Sequence, residues 1–274
     1  MKDKYRISLI MPKGYTHSLC FKEIAELLKG SLNSVGFDCD MKINELADNR
    51  INIILGYHLL KFDEALLRYR YIPYQLEQLE AKGGWYSENV KRLLENAYEV
   101  WDYSEENIGL LNRLNIEAKH LPIGYHESLE LIDHETEKDV DILFYGSIGE
   151  RRRRVLDRLS DIANVKVLFG VYGEQRDAFI SRARIILNIH YYSTEIFEAP
   201  RISYLLNNGC FVVSETSPNN PYEAVNLCLV PYDRIVETCM HYLKHPEEME
   251  DMRRSGYADF KKNYPMIGFI RDVL

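Results

Sequence analysis

Short apolar runs and amphipathic stretches alternate along the whole chain. Residues 5–11 (YRISLIM) have the length and β-branched character of a buried strand. After the loop PKGYTHS, residues 19–32 carry Ile24, Leu27, Leu28 and Leu32 on one helical face, and Gly36 is placed to stop that helix. Residues 51–55 and 71–76 read as further strands and 90–97 as a helix. A short strand at 100–103 precedes a helix that Ser104 would cap, with Asn107 at its third position. Residues 120–123 close this half. The pattern then restarts, with strands at 140–145, 165–169, 185–189 and 211–213. The helices of this second half fall at 151–159, 176–183, 200–207, 235–243 and 246–257. Such alternation predicts α/β layers built on parallel sheets.

Between the halves, ESLELIDHETEK (127–138) is polar and acidic with no strand pattern. It reads as a linker between an N-terminal Rossmann-like domain, 1–126, and a second one, 139–274. Two such halves would place a ligand in the cleft between them.

Charge and composition narrow the field. The formal net charge is -8, so nucleic acid is disfavoured as a partner. The five cysteines form no CxxC pair, which fits free thiols in a reducing compartment. The histidines show neither HExxH nor another paired-ligand spacing, so no metal site is expected. There is no run long enough for a transmembrane segment and no signal-peptide cleavage pattern, and a cytoplasmic location is expected.

Two stretches carry chemistry. DILFYGSIGERRRRVLDRL (141–159) is a strand, a glycine-containing turn at Gly146 and Ser147, and a helix opening with Arg151, Arg152, Arg153 and Arg154. Cations are unfavourable at a helix start unless an anion is present. Arginine also offers paired donors to phosphate oxygens. The competing reading is a solvated face with Glu150 and Asp157 as partners. Neither GxxxxGK[ST] nor GxGxxG is present. In ILNIHYYSTEIFEAPR (186–201), Asn188 and His190 share one face of a strand, with Leu187 and Ile189 on the other. Glu195 and Glu198 are candidates for sugar or ribose hydroxyls, as is Glu215 further on. Arg201 repeats the misplaced charge of the first stretch. A core role for His190 and a helix-start role for a glutamate are the plainer alternatives.

In the first half, polar residues recur after strands: His17, His58, Gln75, Glu77, Asp102, Tyr125 and His126. Capping or surface roles compete at each one. Asp102 is expected to orient backbone or Ser104. GxSxG is absent, and no Ser/His/Asp set stands out.

FYGSIGERRRRVL (144–156) and RISYLLNNGCFVVSE (201–215) resemble the nucleotide-sugar half of GT-B glycosyltransferases, nearest to the group-1 and CgeB-like branch. The resemblance covers most of 139–264. It implies a compact GT-B fold, two Rossmann-like domains facing a central cleft, and hexosyl transfer from a nucleotide-diphosphate sugar to a hydroxyl acceptor. That acceptor would be a glycan, a small molecule or a protein. Arg152, Arg153 and Arg201 would meet the diphosphate, Gly146 and Ser147 would line the turn, and Asn188, His190, Glu195 and Glu198 would complete the donor site. His17 would activate the acceptor, with His58 and Tyr125 beside it. No cofactor or metal is implied, and a UDP-sugar is favoured as donor. One departure stands out: Ile196 and Tyr204 occupy the positions of the paired glutamates of retaining group-1 enzymes. This leaves retention or inversion open. It also keeps two alternatives, a nucleotide-sugar epimerase and a non-catalytic glycan- or nucleotide-binding module.

Overall fold

The computed structural model describes residues 3–79, 85–134, 137–192 and 194–274. The chain divides into two units, Met1–Ser128 with Met266–Leu274, and Leu129–Pro265. Each is a parallel sheet with helices.

The first unit's strands are β1 (Lys4–Leu9), β2 (Asp38–Ile43), β3 (Ile51–Leu55), β4 (Arg70–Gln75), β5 (Trp101–Asp102) and β6 (Lys119–His120), in the order β2-β1-β3-β4-β5-β6. Its helices are α1 (Lys22–Ser34), α2 (Glu88–Glu95) and α3 (Glu105–Arg113). All five residues of β3 are buried, as its unbroken apolar run requires. Ser104 caps α3 through the Asn107 N–H, as the sequence indicates.

The strand β2 is not expected from the sequence, because DCDMKI is half charged. It lies at the sheet edge, where Asp38 pairs with Arg50 and Asp40 with Arg6. Charges on an edge strand block pairing with other chains, at the cost of a legible apolar pattern.

The second unit contains β7 (Val140–Tyr145), α4 (Glu150–Ser160), β8 (Val165–Leu168), α5 (Gly173–Arg182), β9 (Ala183–Asn188), α6 (Ala199–Asn207) and β10 (Val212–Glu215). It continues through β11 (Cys228–Val230), α7 (Ile235–Lys244) and α8 (Pro246–Asn263). The sheet order is β11-β10-β9-β7-β8. Ile142, Phe144, Ile185, Leu187, Ile189 and Val213 pack with Val155 and Leu159 of α4 and Ile235 and Cys239 of α7. The segment read as a linker is anchored to this unit: the Leu131 and Ile132 N–H groups both donate to Asn208 Oδ1, at 2.7 and 3.0 Å.

A final helix, α9 (Met266–Val273), belongs to the first unit, although the sequence division places it in the second. Met266 and Ile270 are fully buried, and the Met266 N–H donates to Tyr125 O at 2.8 Å. An eight-residue helix at a chain end finds its core by tertiary packing, which local pattern does not reveal.

In both sheets the chain reverses direction of growth once, between β1 and β3 and between β7 and β9. Loops leaving the carboxyl ends of strands at such a reversal diverge, and the crevice they leave is where open α/β sheets bind ligands.

Candidate functional site

At the second unit's reversal, β7 runs into Gly146 and then α4, while β9 runs through Ile189 and His190 to α6. Gly146 has φ +130°, which other residues rarely adopt. A β-carbon there would stand 2.9 Å from Arg201 Nη2 and 3.6 Å from Arg152 Nη1. Two guanidinium groups therefore converge on the bare face of one glycine.

Arg152 is buried and fully engaged. Its Nε and Nη2 donate to Ile189 O at 2.8 and 2.5 Å, its Nη1 to Ser147 O at 2.9 Å, and its Nη2 also to Glu198 Oε1 at 3.0 Å. It ties the turn after β7 to the end of β9. Burial pulls it down to about 10, with the Glu198 charge opposing, so it stays cationic at neutral pH. Its guanidinium also lies 5.1 Å from the Tyr191 ring centre.

Arg151, which the sequence does not distinguish from its neighbours, donates through both Nη atoms to the buried carboxylate of Glu215. Hydrogen bonding to that carboxylate raises it further. Glu215 also accepts the His190 N–H at 3.1 Å, and Glu195, at φ +50°, lies 3.8 Å from Arg151. The His190 ring is turned into the protein, with Nε2 3.1 Å from both Thr216 O and Ser217 Oγ. It is the hydrogen-bonded core histidine of the two sequence readings.

Arg153 is exposed on the outer face of α4, and its side chain makes no hydrogen bond or ion pair among the described residues. The structure sets it apart from Arg152: a helix turns about 100° per residue, and here that step carries Arg153 out to solvent. The expectation that an anion must answer the first-turn cations of α4 is corrected. Arg151 and Arg152 find their counter-charges in Glu215 and Glu198, within the protein.

Arg201 differs. Its Nη1 donates to Asn188 Oδ1 at 3.2 Å and lies 3.5 Å from Glu198 Oε2. Its Nε and Nη2 make no hydrogen bond among the described residues. Asn188 is fixed in turn by Ser214, to whose Oγ its Nδ2 donates at 3.0 Å. The Arg201 guanidinium lies 4.8 Å from the Tyr145 ring centre. Arg176 covers the other members of this stack, 5.7 Å from Tyr145 and 4.6 Å from Tyr204. Tyr204 is buried against that cation in the position where a glutamate was the family expectation. Around the site, Ile148, Phe169, Tyr191 and Tyr192 are exposed large side chains on loops that follow β7, β8 and β9.

The first unit has its own reversal. The loop after β1 carries His17 in a 3-10 turn, Thr16–Phe21, and the loop after β3 carries His58 in another, Tyr57–Leu59. The Phe21 and His58 rings meet edge to face at 6.4 Å, and Tyr15 meets His17 in the same way at 5.4 Å. Burial lowers the His58 pKa, which keeps the ring neutral at physiological pH. Glu77, after β4, is shifted up by burial. Asp102 acts as expected, its Oδ1 accepting from the Ser104 N–H at 2.8 Å and from Asn107 Nδ2 at 3.1 Å.

Tyr125 and His126 follow β6. Tyr125 is buried where its carbonyl starts α9. His126 bridges Ser34 Oγ at 3.0 Å and Ser128 Oγ at 2.9 Å. The Tyr125 carbonyl thus anchors the start of α9, and His126 ties α1 to the turn at Ser128.

The architecture matches solved structures across nearly the whole chain. HepE of Anabaena, solved with UDP-glucose, superposes with a TM-score of 0.59 at 10% identity, covering 98% of both chains. An alpha1,3-fucosyltransferase with GDP-fucose gives 0.52 at 13%, covering 99% of this chain and 91% of that one. TarM gives 0.56 at 11% over 83% of this chain and 54% of its own. The fold is GT-B. No family model matches the chain. In sequence it is 34% identical over 185 residues to an uncharacterised protein of Acanthamoeba polyphaga mimivirus, 65% of this chain and 64% of that one. A second mimivirus protein is 28% identical over 173 residues, which is 55% of its length. The chain thus spans less than two thirds of the curated relatives it matches.

Proposed function

We propose that this chain transfers a sugar from a nucleotide-diphosphate sugar to a hydroxyl acceptor. The observation that carries the reading is Arg201: a half-buried guanidinium at the β7/β9 reversal, held by Asn188 and Tyr145, with two nitrogens uncommitted among the described residues, beside a glycine that leaves room. A guanidinium pre-set in this way stabilises the charge that develops on a departing diphosphate without reorganising. The likeness to proteins solved with UDP-glucose and GDP-fucose supports a donor of that class.

In this reading the bond from the anomeric carbon to the β-phosphate oxygen breaks, and the acceptor oxygen bonds to that carbon. The acceptor proton passes to a general base, for which His17 is the candidate. The diphosphate leaves toward Arg201 and the Gly146 turn, with no metal required. Arg152, Glu198 and Glu215 position these groups and do not touch the donor. The group-1 and CgeB-like branch is the nearest assignment, and a UDP-sugar the first donor to try.

The test is a thermal-shift and calorimetric screen against UDP-, GDP-, ADP- and TDP-sugars, on the parent chain and on Arg201→Ala. A ligand of the native state raises Tm. Parent binding that falls about tenfold or more in the variant supports the reading. Equal binding by both, or by neither, rejects it. A second reading, binding without chemistry, is favoured by Tyr204 in place of a glutamate. Tight donor binding with neither transfer nor slow hydrolysis would establish it. Conversion of the donor to an epimer with no acceptor present would instead indicate an epimerase.

A further inference from the structure

On the far side of the second unit's sequence, three exposed side chains that the proposed reaction does not use come together. His241 is in the last turn of α7, His245 is the residue between α7 and α8, and Glu248 is in the first turn of α8. Each offers one ligand atom, and these atoms all lie within 4.8 Å of one another. We propose that His241, His245 and Glu248 form a surface site for a zinc-class divalent ion that clasps the α7–α8 corner. The proposal is independent of the glycosyl-transfer reading.

The donor set is the first argument. Two imidazoles and one carboxylate suit zinc and its neighbours, whereas magnesium and calcium prefer oxygen ligands throughout. The tautomers are the second. His245 Nδ1 lies 2.7 Å from His241 O. A carbonyl only accepts, so Nδ1 carries the hydrogen and Nε2 keeps its lone pair for a metal. A backbone carbonyl behind a ligating histidine is the usual outer partner of such sites. His241 Nε2 lies 3.0 Å from Glu248 Oε2, close to the ~3.3 Å between donors on a zinc tetrahedron. In the tautomer with its hydrogen on Nδ1, His241 presents the Nε2 lone pair to the metal.

The corner supplies the third argument. His241 and His245 are four residues apart, one helical turn, and their rings stack at 4.2 Å with planes 23° apart. The chain then bends at His245 (φ -123°, ψ 67°), and Pro246 opens α8. That bend brings Glu248, seven residues from His241, back onto the pair. The sequence expectation of no paired-ligand spacing is corrected here, because His241 and His245 have that spacing and the third ligand comes from a different helix. Three ligands leave one or more positions to water, and the ion would lock the angle between α7 and α8.

Zinc sulfate titrated into the parent chain by calorimetry, with magnesium as control, tests the site. The variants are His241→Asn, His245→Asn and Glu248→Gln, with Cys20→Ser to exclude the exposed thiol. All four positions are exposed, so the variants are expected to keep the parent's circular dichroism and urea midpoint. The expected result is one zinc per chain, no magnesium, and affinity reduced about 10- to 100-fold in each histidine variant while Cys20→Ser binds as the parent does. Zinc should also raise the parent Tm and leave that of the doubly substituted histidine variant unmoved. Absence of parent binding at about 0.1 mM zinc, or binding that survives both histidine substitutions, overturns the proposal.

Discussion

Arg201 lies against Gly146, its Nη2 only 2.9 Å from the place a β-carbon would take. The glycine does two things at once: it adopts φ +130° and it yields the space the guanidinium fills. Gly146→Ala should therefore cost about 1–3 kcal/mol in strain and push Arg201 off Asn188. Both the urea midpoint and the nucleotide-sugar affinity should fall. A variant with parental affinity would mean that Arg201 is not at the donor.

Arg152 and Arg153 are neighbours in sequence with opposite fates. Arg152→Ala leaves two carbonyls and the Glu198 carboxylate without their buried partner, and should destabilise the second unit by about 3 kcal/mol. Arg153→Ala should change stability by less than about 0.5 kcal/mol. Urea denaturation of the pair decides it; equal effects would contradict the packing described.

Tyr191 is exposed on the rim, with its ring 5.1 Å from the Arg152 guanidinium. An exposed ring contributes little to folding but offers a flat surface to a base or sugar. Tyr191→Ala is expected to leave Tm nearly unchanged and to weaken donor binding about tenfold. Unchanged binding would place the donor away from this rim.

Asp102 gives a pH signature. Burial pushes its carboxyl well above the ordinary carboxylate range, with the nearby Glu106 charge adding to the rise and bonds from Ser104 and Asn107 opposing it. The native chain thus holds a proton that the unfolded chain releases. Below the unfolded value of about 3.9 both states are protonated and the residue costs nothing. As pH rises from there to the folded pKa, stability is lost. Asp102→Asn keeps an oxygen for Ser104 and Asn107 and carries no charge. Its stability should therefore gain on the parent's as pH rises above about 3.9. A gap that stays constant with pH would show that Asp102 is ionised in the native chain.

The strand–helix alternation, the stop at Gly36, the Ser104 cap and the turn at Gly146 were legible in the sequence, because each is set by a local rule of periodicity or backbone freedom. So was the placement of Asn188, His17 and His58 at strand ends. The strand β2 was not, since its charges are satisfied by Arg6 and Arg50 across the sheet. The helix α9 was not, since its destination lies in the other unit.

At the candidate site, the sequence by itself determined which charges stand at the starts of α4 and α6. Only the tertiary structure decided which of them are already answered. Glu215 is 64 residues from Arg151, and Glu198 is 46 from Arg152. No spacing announces such pairs, because a parallel sheet brings together strand ends that the chain keeps far apart. The structure thereby separates Arg201, with two nitrogens uncommitted among the described residues, from neighbours that hold the fold. The same holds for Glu248, which meets His241 only because the chain bends at His245.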